Sequence, residues 1–353
     1  MPSISLAVVG LGMAAKPHLE ALDLLRNHVE VAGLYNRTKA KAEAVAEKYG
    51  WTCFDSPEEI AGDPEIDAVL LLTPPDQRHD LVELFSSAGK HILTEKPLER
   101  TYEAAAELVE LCDYAGVKYG VVFQHRFREG ARQLRALLDE GALGDIHLVR
   151  ANIPWWRDQA YYDQAGRGTY ERDGGGVLIT QAIHVLDLML SLTGPAKSVQ
   201  ALCATTGAHK MEAEDFATAG VEFHSGAVGS IMATTATYPD AKETLVFDGS
   251  KASAHLEGSK LTVTYRDGSI DVFGGRNGSK DGTGGGVNPM AFPCDWHRDL
   301  IDDFALSIIE HRDPKVTGHD ALMVHALIEA METSSRTGTR ADVREAEPSK
   351  AYI

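Results

Sequence analysis

Three side chains in this sequence are of the types that move protons and steady charge at an alcohol carbon, and each stands in a distinctive setting. Lys96 lies in His91-Ile92-Leu93-Thr94-Glu95-Lys96-Pro97-Leu98, an apolar run that ends in an acid, a base and a proline. Pro97 lacks an N–H and disfavours helical geometry at the residue before it, so the chain must turn there in extended form. A lysine at the carboxyl end of a strand sits where open α/β sheets place their ligands. Thr180 and His184 follow Asp173-Gly174-Gly175-Gly176, on a segment that is otherwise almost wholly apolar. At ~100° per residue, Thr180, His184, Asp187 and Ser191 share an arc of roughly 60°. A solvent face would be wider and richer in Lys and Glu, so this reads as a buried helix with one narrow polar seam. The bland alternative is a core histidine satisfied by Asp187.

What must position these groups can be followed along the chain. An apolar run over residues 3–9 reads as a buried strand and leads at once into Gly10-Leu11-Gly12-Met13-Ala14-Ala15, then into a helical pattern over 14–26. This is GxGxxA, the dinucleotide-binding fingerprint. The first glycine allows the tight turn and the second lets pyrophosphate approach the backbone. The third position needs only a small residue for helix–strand packing, and phosphate rests on the helix N-terminus. The second strand, 29–34, ends at Asn36-Arg37-Thr38 with Lys39 and Lys41 beyond, and no carboxylate. An acid there reads the ribose of NAD and an arginine accommodates the 2′-phosphate of NADP, so NADP is favoured over NAD.

Alternation continues with a helix over 39–49, a short strand at 51–54, a strand over 68–72 stopped by Thr73-Pro74-Pro75, and a helix over 76–88. The Glu-Lys-Pro strand, a helix over 102–115 and a strand over 118–123 complete six βα-type units. Such alternation means a doubly wound parallel sheet. After Phe123 a helix over 129–140 and a strand over 145–153 precede the glycine-led helix, and residues 198–273 read as an antiparallel sheet without crossover helices. A glycine-rich stretch, 274–286, reads as a mobile loop, and helices over 296–311 and 319–335 close the fold. The expectation is an α/β protein: a Rossmann domain over 1–123, then an α+β domain over 124–353 with an open, mainly antiparallel sheet.

Trp155-Trp156-Arg157-Asp158-Gln159-Ala160-Tyr161-Tyr162 and Gly166-Arg167-Gly168-Thr169-Tyr170 mix aromatic faces with donors and acceptors. They suit a polyhydroxylated ligand, and equally a subunit interface. At a net charge of −18 the chain lacks the positive field that nucleic acid or an anionic membrane demands. No run reaches the ~18 apolar residues of a membrane span, and no secretory leader precedes the first strand. Cys53, Cys112, Cys203 and Cys294 form no CxxC pair, which points to a cytoplasmic protein with free thiols and no metal site.

Val9-Gly10-Leu11-Gly12 with His18, Thr73-Pro74-Pro75, Gly89-Lys90-His91 leading to Glu95-Lys96-Pro97, Arg126-Phe127, and Gly174-Gly175-Gly176 through His184 to Asp187 occur in an order that resembles the glucose–fructose oxidoreductase/inositol dehydrogenase/MocA family over nearly the whole chain. The resemblance implies a Rossmann domain followed by a domain on an open antiparallel sheet, a homodimer or homotetramer, and NAD(P)-dependent oxidation or reduction of a sugar, sugar acid, nucleotide sugar or cyclitol. It implies cofactor contacts from Gly10, Gly12, Met13, Ala14, Asn36, Arg37, Thr38, Thr73, Pro74, His79, Glu95 and Lys96. Substrate contacts are expected from Lys96, Arg157, Tyr162, Thr180, His184 and His297. Lys96 and His184 match the family's catalytic lysine and histidine. Thr180 stands where many members carry aspartate. With the Trp-Arg-x-Gln-x-Tyr-Tyr and Arg-Gly-Thr stretches, it resembles the subgroup that includes nucleotide-sugar (hexuronate) 3-dehydrogenases.

In that chemistry His184 is the acid/base, because imidazole titrates near working pH, and Lys96 donates a hydrogen bond to the reacting oxygen. Thr180 can orient a substrate hydroxyl or His184 but cannot act as a base. NAD-dependent glycosidases, which oxidise transiently, and regulators that bind NAD(P) without turnover are the alternative activities.

Overall fold

A computed structural model describes residues 2–25, 28–275 and 294–345. The chain divides into two compact units. The first is Met1–Phe123, completed by Cys294–Ala321, and the second comprises the described parts of Gln124–Pro293 and Leu322–Glu347. The first unit, expected to end at residue 123, therefore takes back a later stretch of chain. Helix Asp295–Ile309 packs there on helix Ala15–Leu24 and on two strands of its sheet.

Five parallel strands form the first sheet: β1 (Ile4–Val9), β2 (Val29–Tyr35), β3 (Ala68–Leu71), β4 (His91–Thr94) and β5 (Tyr119–Val121), in the order β2-β1-β3-β4-β5. β1 and β3 are near-continuous apolar runs because both faces are covered, as parallel sheets require. The order reverses between β1 and β3, which opens a crevice at their carboxyl ends. The sixth strand expected at 51–54 is reduced to one bridge, Leu34 to Cys53. The Thr52 carbonyl crosses β2 so closely that a Cβ on Gly33 would stand 2.6 Å from it. The helix expected over 76–88 is a 3-10 turn, Pro75–Gln77, followed by helix His79–Ser87. Helix Tyr102–Ala115 shows one-sided burial: Ala105, Leu108, Val109 and Cys112 are buried, Thr101 caps its start and Gly116 ends it in the left-handed region.

The second unit is built on nine strands: β6 (Ile146–Pro154), β7 (Ala196–Ala204), β8 (Phe216–Phe223), β9 (Val228–Thr234), β10 (Thr244–Gly249), β11 (Ala252–Glu257), β12 (Lys260–Tyr265), β13 (Ile270–Phe273) and β14 (Ala341–Asp342). Their order is β13-β12-β11-β10-β6-β9-β8-β7-β14. Every pair is antiparallel except β6 with β9, which run parallel from Leu148↔Val228 to Pro154↔Thr234. Burial alternates with period two along these strands, so Val149, Ala151, Ile153, Ile231, Ala233, Leu245, Phe247, Leu261 and Val263 form one apolar face. Helices Glu129–Asp139 and Ile183–Thr193 pack against elements of this sheet. The stretch Tyr170–Thr193 reaches the length and hydropathy of a membrane span, which the sequence was not expected to contain; 89% of its most apolar window is buried inside the protein, as a core helix would be. Residues 276–286 of the glycine-rich stretch lie outside the described residues.

Candidate functional site

The candidate residues divide between the two units. In the first, the loop after β1 turns at Gly10, whose φ of +95° belongs to the left-handed region. A Cβ there would also meet Thr73 and Leu72 at 3.1–3.2 Å. Gly10 is thus required twice, for the turn and for the approach of the Thr73 loop. Around Gly12 only the Leu72 carbonyl lies near, 3.6 Å from an added Cβ. Helix Ala15–Leu24 starts with no side-chain cap and no acid in its first turn. Its N–H groups and dipole are therefore available to an anion. This is a cradle that suits a dinucleotide pyrophosphate, with Met13 and Ala14 on its rim.

The neighbouring strand ends complete the set. Asn36, after β2, accepts a hydrogen bond from Leu11 N (3.0 Å) and donates to Thr38 O (3.1 Å), which joins the two loops. Lys39 is paired with Asp55 at 2.6 Å, and Lys41 donates to the Leu11 carbonyl. Two of the cations counted towards a 2′-phosphate are therefore committed elsewhere, and exposed Arg37 remains. His79 lies exposed on the next helix, with Asp80 at 3.6 Å and Glu107 at 3.9 Å, so the structure gives it carboxylate neighbours in place of a loop contact.

Sequence reading missed Arg78. It is 1% exposed, and its guanidinium donates to Thr73 O from Nε (3.1 Å) and Nη2 (2.8 Å), to Pro97 O, and to Leu98 O (3.3 Å). One side chain thereby ties the loop after β3 to the Glu-Lys-Pro turn after β4. A lone arginine just after a proline-stopped strand was the available signal.

The turn has a second anchor. Glu95 Oε1 lies 2.7 Å from His18 Nε2, and Glu95 Oε2 accepts the Lys96 N–H at 3.1 Å. Burial pushes the Glu95 carboxyl up, but the His18 hydrogen bond and charge, with Lys96 beside them, outweigh it and hold Glu95 below the ordinary range. His297, expected to touch substrate, is 1% exposed and lies edge-on to His18 with ring centroids 4.7 Å apart. Burial first, and His18 second, push its imidazole down to about 3. The structure places it in this buried anchor. The three residues bring ligand-type atoms within 4.8 Å of one another. The two hydrogen bonds already engage both Glu95 oxygens, so we read the trio as a structural clamp on Lys96.

In the second unit the glycine-led helix departs from the regular geometry assumed for the seam. Leu178–Ala182 is a π-turn, and the α-helix proper is Ile183–Thr193. Such turns recur at functional sites. The third glycine is required by the backbone: a Cβ on Gly176 would lie 1.8 Å from the Glu214 carbonyl oxygen. The Glu214 carboxylate then accepts the N–H groups of Gly176 and Leu178, each at 3.0 Å. Thr180 Oγ1 donates to the Gly176 carbonyl at 2.5 Å and lies close to Gln181 Oε1.

Asp187, the residue expected to satisfy His184, is held by Arg126. It takes both arms of Arg126, Nε to Oδ2 at 2.8 Å and Nη2 to Oδ1 at 2.6 Å. His184, 9% exposed, stacks on His125 with centroids 4.9 Å apart and planes 27° apart. Arg126 belongs to the family resemblance; His125 and Arg128 beside it were missed. Their signal was three basic side chains in four residues after a wholly apolar strand.

The aromatic stretch forms one cluster. Arg157 is 5% exposed and donates to Trp156 O at 2.8 Å; its Cζ lies 5.7 Å from the Tyr161 ring centroid. Arg167 approaches the same ring at 5.2 Å and is 3.5 Å from Asp173. Tyr162 spends its hydroxyl on Thr235 Oγ1 at 2.6 Å and packs on His209, so it shapes the cluster more than it offers a donor.

Comparison with known proteins bears directly on this arrangement. Residues 4–123 match the model of the oxidoreductase family GFO_IDH_MocA, NAD-binding Rossmann fold, and residues 131–255 match the GFO/IDH/MocA C-terminal domain. The WlbA dehydrogenase of Bordetella pertussis, solved with NADH and UDP-GlcNAcA, is 29% identical with a TM-score of 0.81, covering 97% of this chain and 99% of that one. The Chromobacterium violaceum WlbA, with the same two ligands, is 30% identical with a TM-score of 0.82, over 98% and 97%. Among curated proteins, D-xylose dehydrogenase of Paenarthrobacter nicotinovorans is 34% identical over 49% of this chain and 45% of its own length. The chain spans about half the length of the first curated relatives it matches. The expectation that NADP is favoured is overturned: these solved relatives hold NADH, and the family model is one for NAD. Lys39 and Lys41, which stood beyond Arg37 in that expectation, are engaged within the unit.

Proposed function

This chain belongs to the GFO/IDH/MocA family of oxidoreductases, and on that premise we propose that it is an NAD-dependent dehydrogenase acting on a CH–OH carbon of a sugar that carries an acidic group. The observation that carries the cofactor half is the meeting of Gly10, Asn36 and Thr73 at the carboxyl ends of adjacent parallel strands. When bound, NAD accepts or gives the hydride. The substrate half rests on Arg157 and Arg167, two guanidiniums flanking the Tyr161 ring. Guanidiniums recognise carboxylate and phosphate oxygens with paired N–H donors, and aromatic rings cover the C–H faces of a sugar. Similarity to the WlbA proteins, which hold a nucleotide-linked uronate, points the same way.

The residue roles follow from the chemistry of each group. Lys96, held by the Glu95 clamp, donates to the reacting oxygen and stabilises negative charge on it. His184 takes the hydroxyl proton on oxidation and returns it on reduction. Thr180 orients the sugar and takes no part in the proton transfer.

The chain is expected to work as a homodimer or homotetramer. Its cysteines are free thiols, which fits the reducing cytoplasm.

The test is a substrate panel: nucleotide-linked hexuronates, free hexuronates, neutral hexoses and inositols, each with NAD and with NADP, read at the nicotinamide absorbance. Acidic sugars with NAD should be oxidised fastest. Oxidation of neutral sugars alone, or of nothing in the panel, would contradict the reading. Aryl glycosides with catalytic NAD form a further arm, and sustained aglycone release would assign the protein to the glycosidases instead.

A further inference from the structure

The turn Gln124–Phe127 and the residue after it place His125, Arg126 and Arg128 side by side. Arg126 is engaged with Asp187. Arg128 is a separate matter. Its side chain and that of Glu243, 115 residues away, are 2% and 4% exposed, and they form a buried ion pair through Arg128 Nη1. Trp155 Nε1 donates to the other Glu243 oxygen at 3.3 Å, and Gly258 O lies 3.4 Å from Arg128 Nη1. The second arm of Arg128, Nη2, is 2.6 Å from His125 Nε2.

A guanidinium only donates and keeps its charge. His125 Nε2 must therefore be the acceptor, which fixes the neutral ring with its proton on Nδ1. The face of that ring lies on His184. The Arg126–Asp187 pair ends one turn from His184, so two ion pairs, Arg126 with Asp187 and Arg128 with Glu243, belong to the residues next to the two imidazoles.

We propose that His125 is a positioning residue: locked as a neutral tautomer by Arg128, it serves as the flat platform that sets the plane of the His184 ring. The proposal rests on the reading above that His184 moves the substrate proton. Of the two stacked imidazoles, His184 is the one that the proposed function assigns to gain and lose a proton during turnover. The platform offers a π face to the imidazolium that forms, an arrangement that favours the charged state without competing for its proton. Glu243 acts at one remove, by holding Arg128.

Two variants separate a platform from mere filling. His125→Phe keeps a flat face, whereas His125→Leu fills similar space without one. With the fastest sugar acid of the panel and NAD, His125→Leu should lower kcat about ten- to a hundredfold, the scale of a misaligned catalytic group. KM for sugar and for NAD should stay within a few-fold, and His125→Phe should recover most of the loss. Equal kcat in the two variants would overturn the proposal. Nitrogen-15 NMR of the parent protein provides a readout that does not depend on any variant folding. His125 should show a neutral ring protonated at Nδ1 from pH 6 to 9, and an Nε2–H or charged His125 would contradict the lock. Full turnover by His184→Ala would instead sink the proposed function, so the two failures are distinguishable.

Discussion

Arg126 and Asp187 form a two-armed ion pair, Nε to Oδ2 at 2.8 Å and Nη2 to Oδ1 at 2.6 Å, with Asp187 fully buried. The pair ties the turn after β5 to helix Ile183–Thr193, one turn beyond His184.

Breaking the pair from one side strands a buried charge. Asp187→Asn should cost ~3–5 kcal/mol of stability, measured by urea unfolding. A loss near zero would mean that the buried guanidinium finds another acceptor and that the pair does not hold the helix.

Arg78 makes a different prediction, because its partners are carbonyls of two cofactor-side turns. Arg78→Met leaves buried carbonyls without a donor at Thr73, Pro97 and Leu98. It should cost about 2–4 kcal/mol and weaken NADH about tenfold or more, read by unfolding and by a fluorescence titration. Stability lost with NADH affinity unchanged would show that the turns hold their places without it.

Glu332 gives a pH signature. Burial, then the neighbouring Glu214, push its carboxyl from 4.5 up to about 8. The folded protein thus holds a proton that the unfolded chain has released. Its contribution is fully present below pH 4.5 and is lost as pH rises towards about 8. Glu332→Gln keeps the neutral shape. It should match the parent at pH 4.5 and exceed it above pH 8 by on the order of 2–4 kcal/mol, seen in melting curves across pH. A constant offset at all pH values would contradict the shift.

Much of this fold could be read from local pattern, because each parallel strand carries its own apolar run and each helix its own stripe. Gly10 and the Glu-Lys-Pro turn were legible for the same reason: their chemistry sits within a few consecutive residues. Other features depend on partners far along the chain. Arg128 is explained by Glu243, 115 residues away, and Gly176 by the Glu214 carbonyl. The strand expected at 51–54 failed because a single close crossing at Gly33 replaced a ladder. The π-turn at Leu178–Ala182 breaks the constant angular step on which the seam was drawn. The NADP expectation rested on Arg37 in place of an acid, with Lys39 and Lys41 beyond it, and could not see that the two lysines have partners in Asp55 and the Leu11 carbonyl.

The central claim, that Lys96 and His184 perform chemistry and do not hold the cofactor, is tested most directly by pairing NADH titration with turnover in Lys96→Met and His184→Ala. In the proposed function the pyrophosphate contacts come from Gly10–Ala15, so NADH affinity should move by no more than ~1 kcal/mol. Turnover of the fastest sugar acid should fall about a hundred- to ten-thousandfold in each variant, and the double variant should be little worse than the poorer single one. Normal turnover by either variant, or loss of NADH binding together with turnover, would contradict the account.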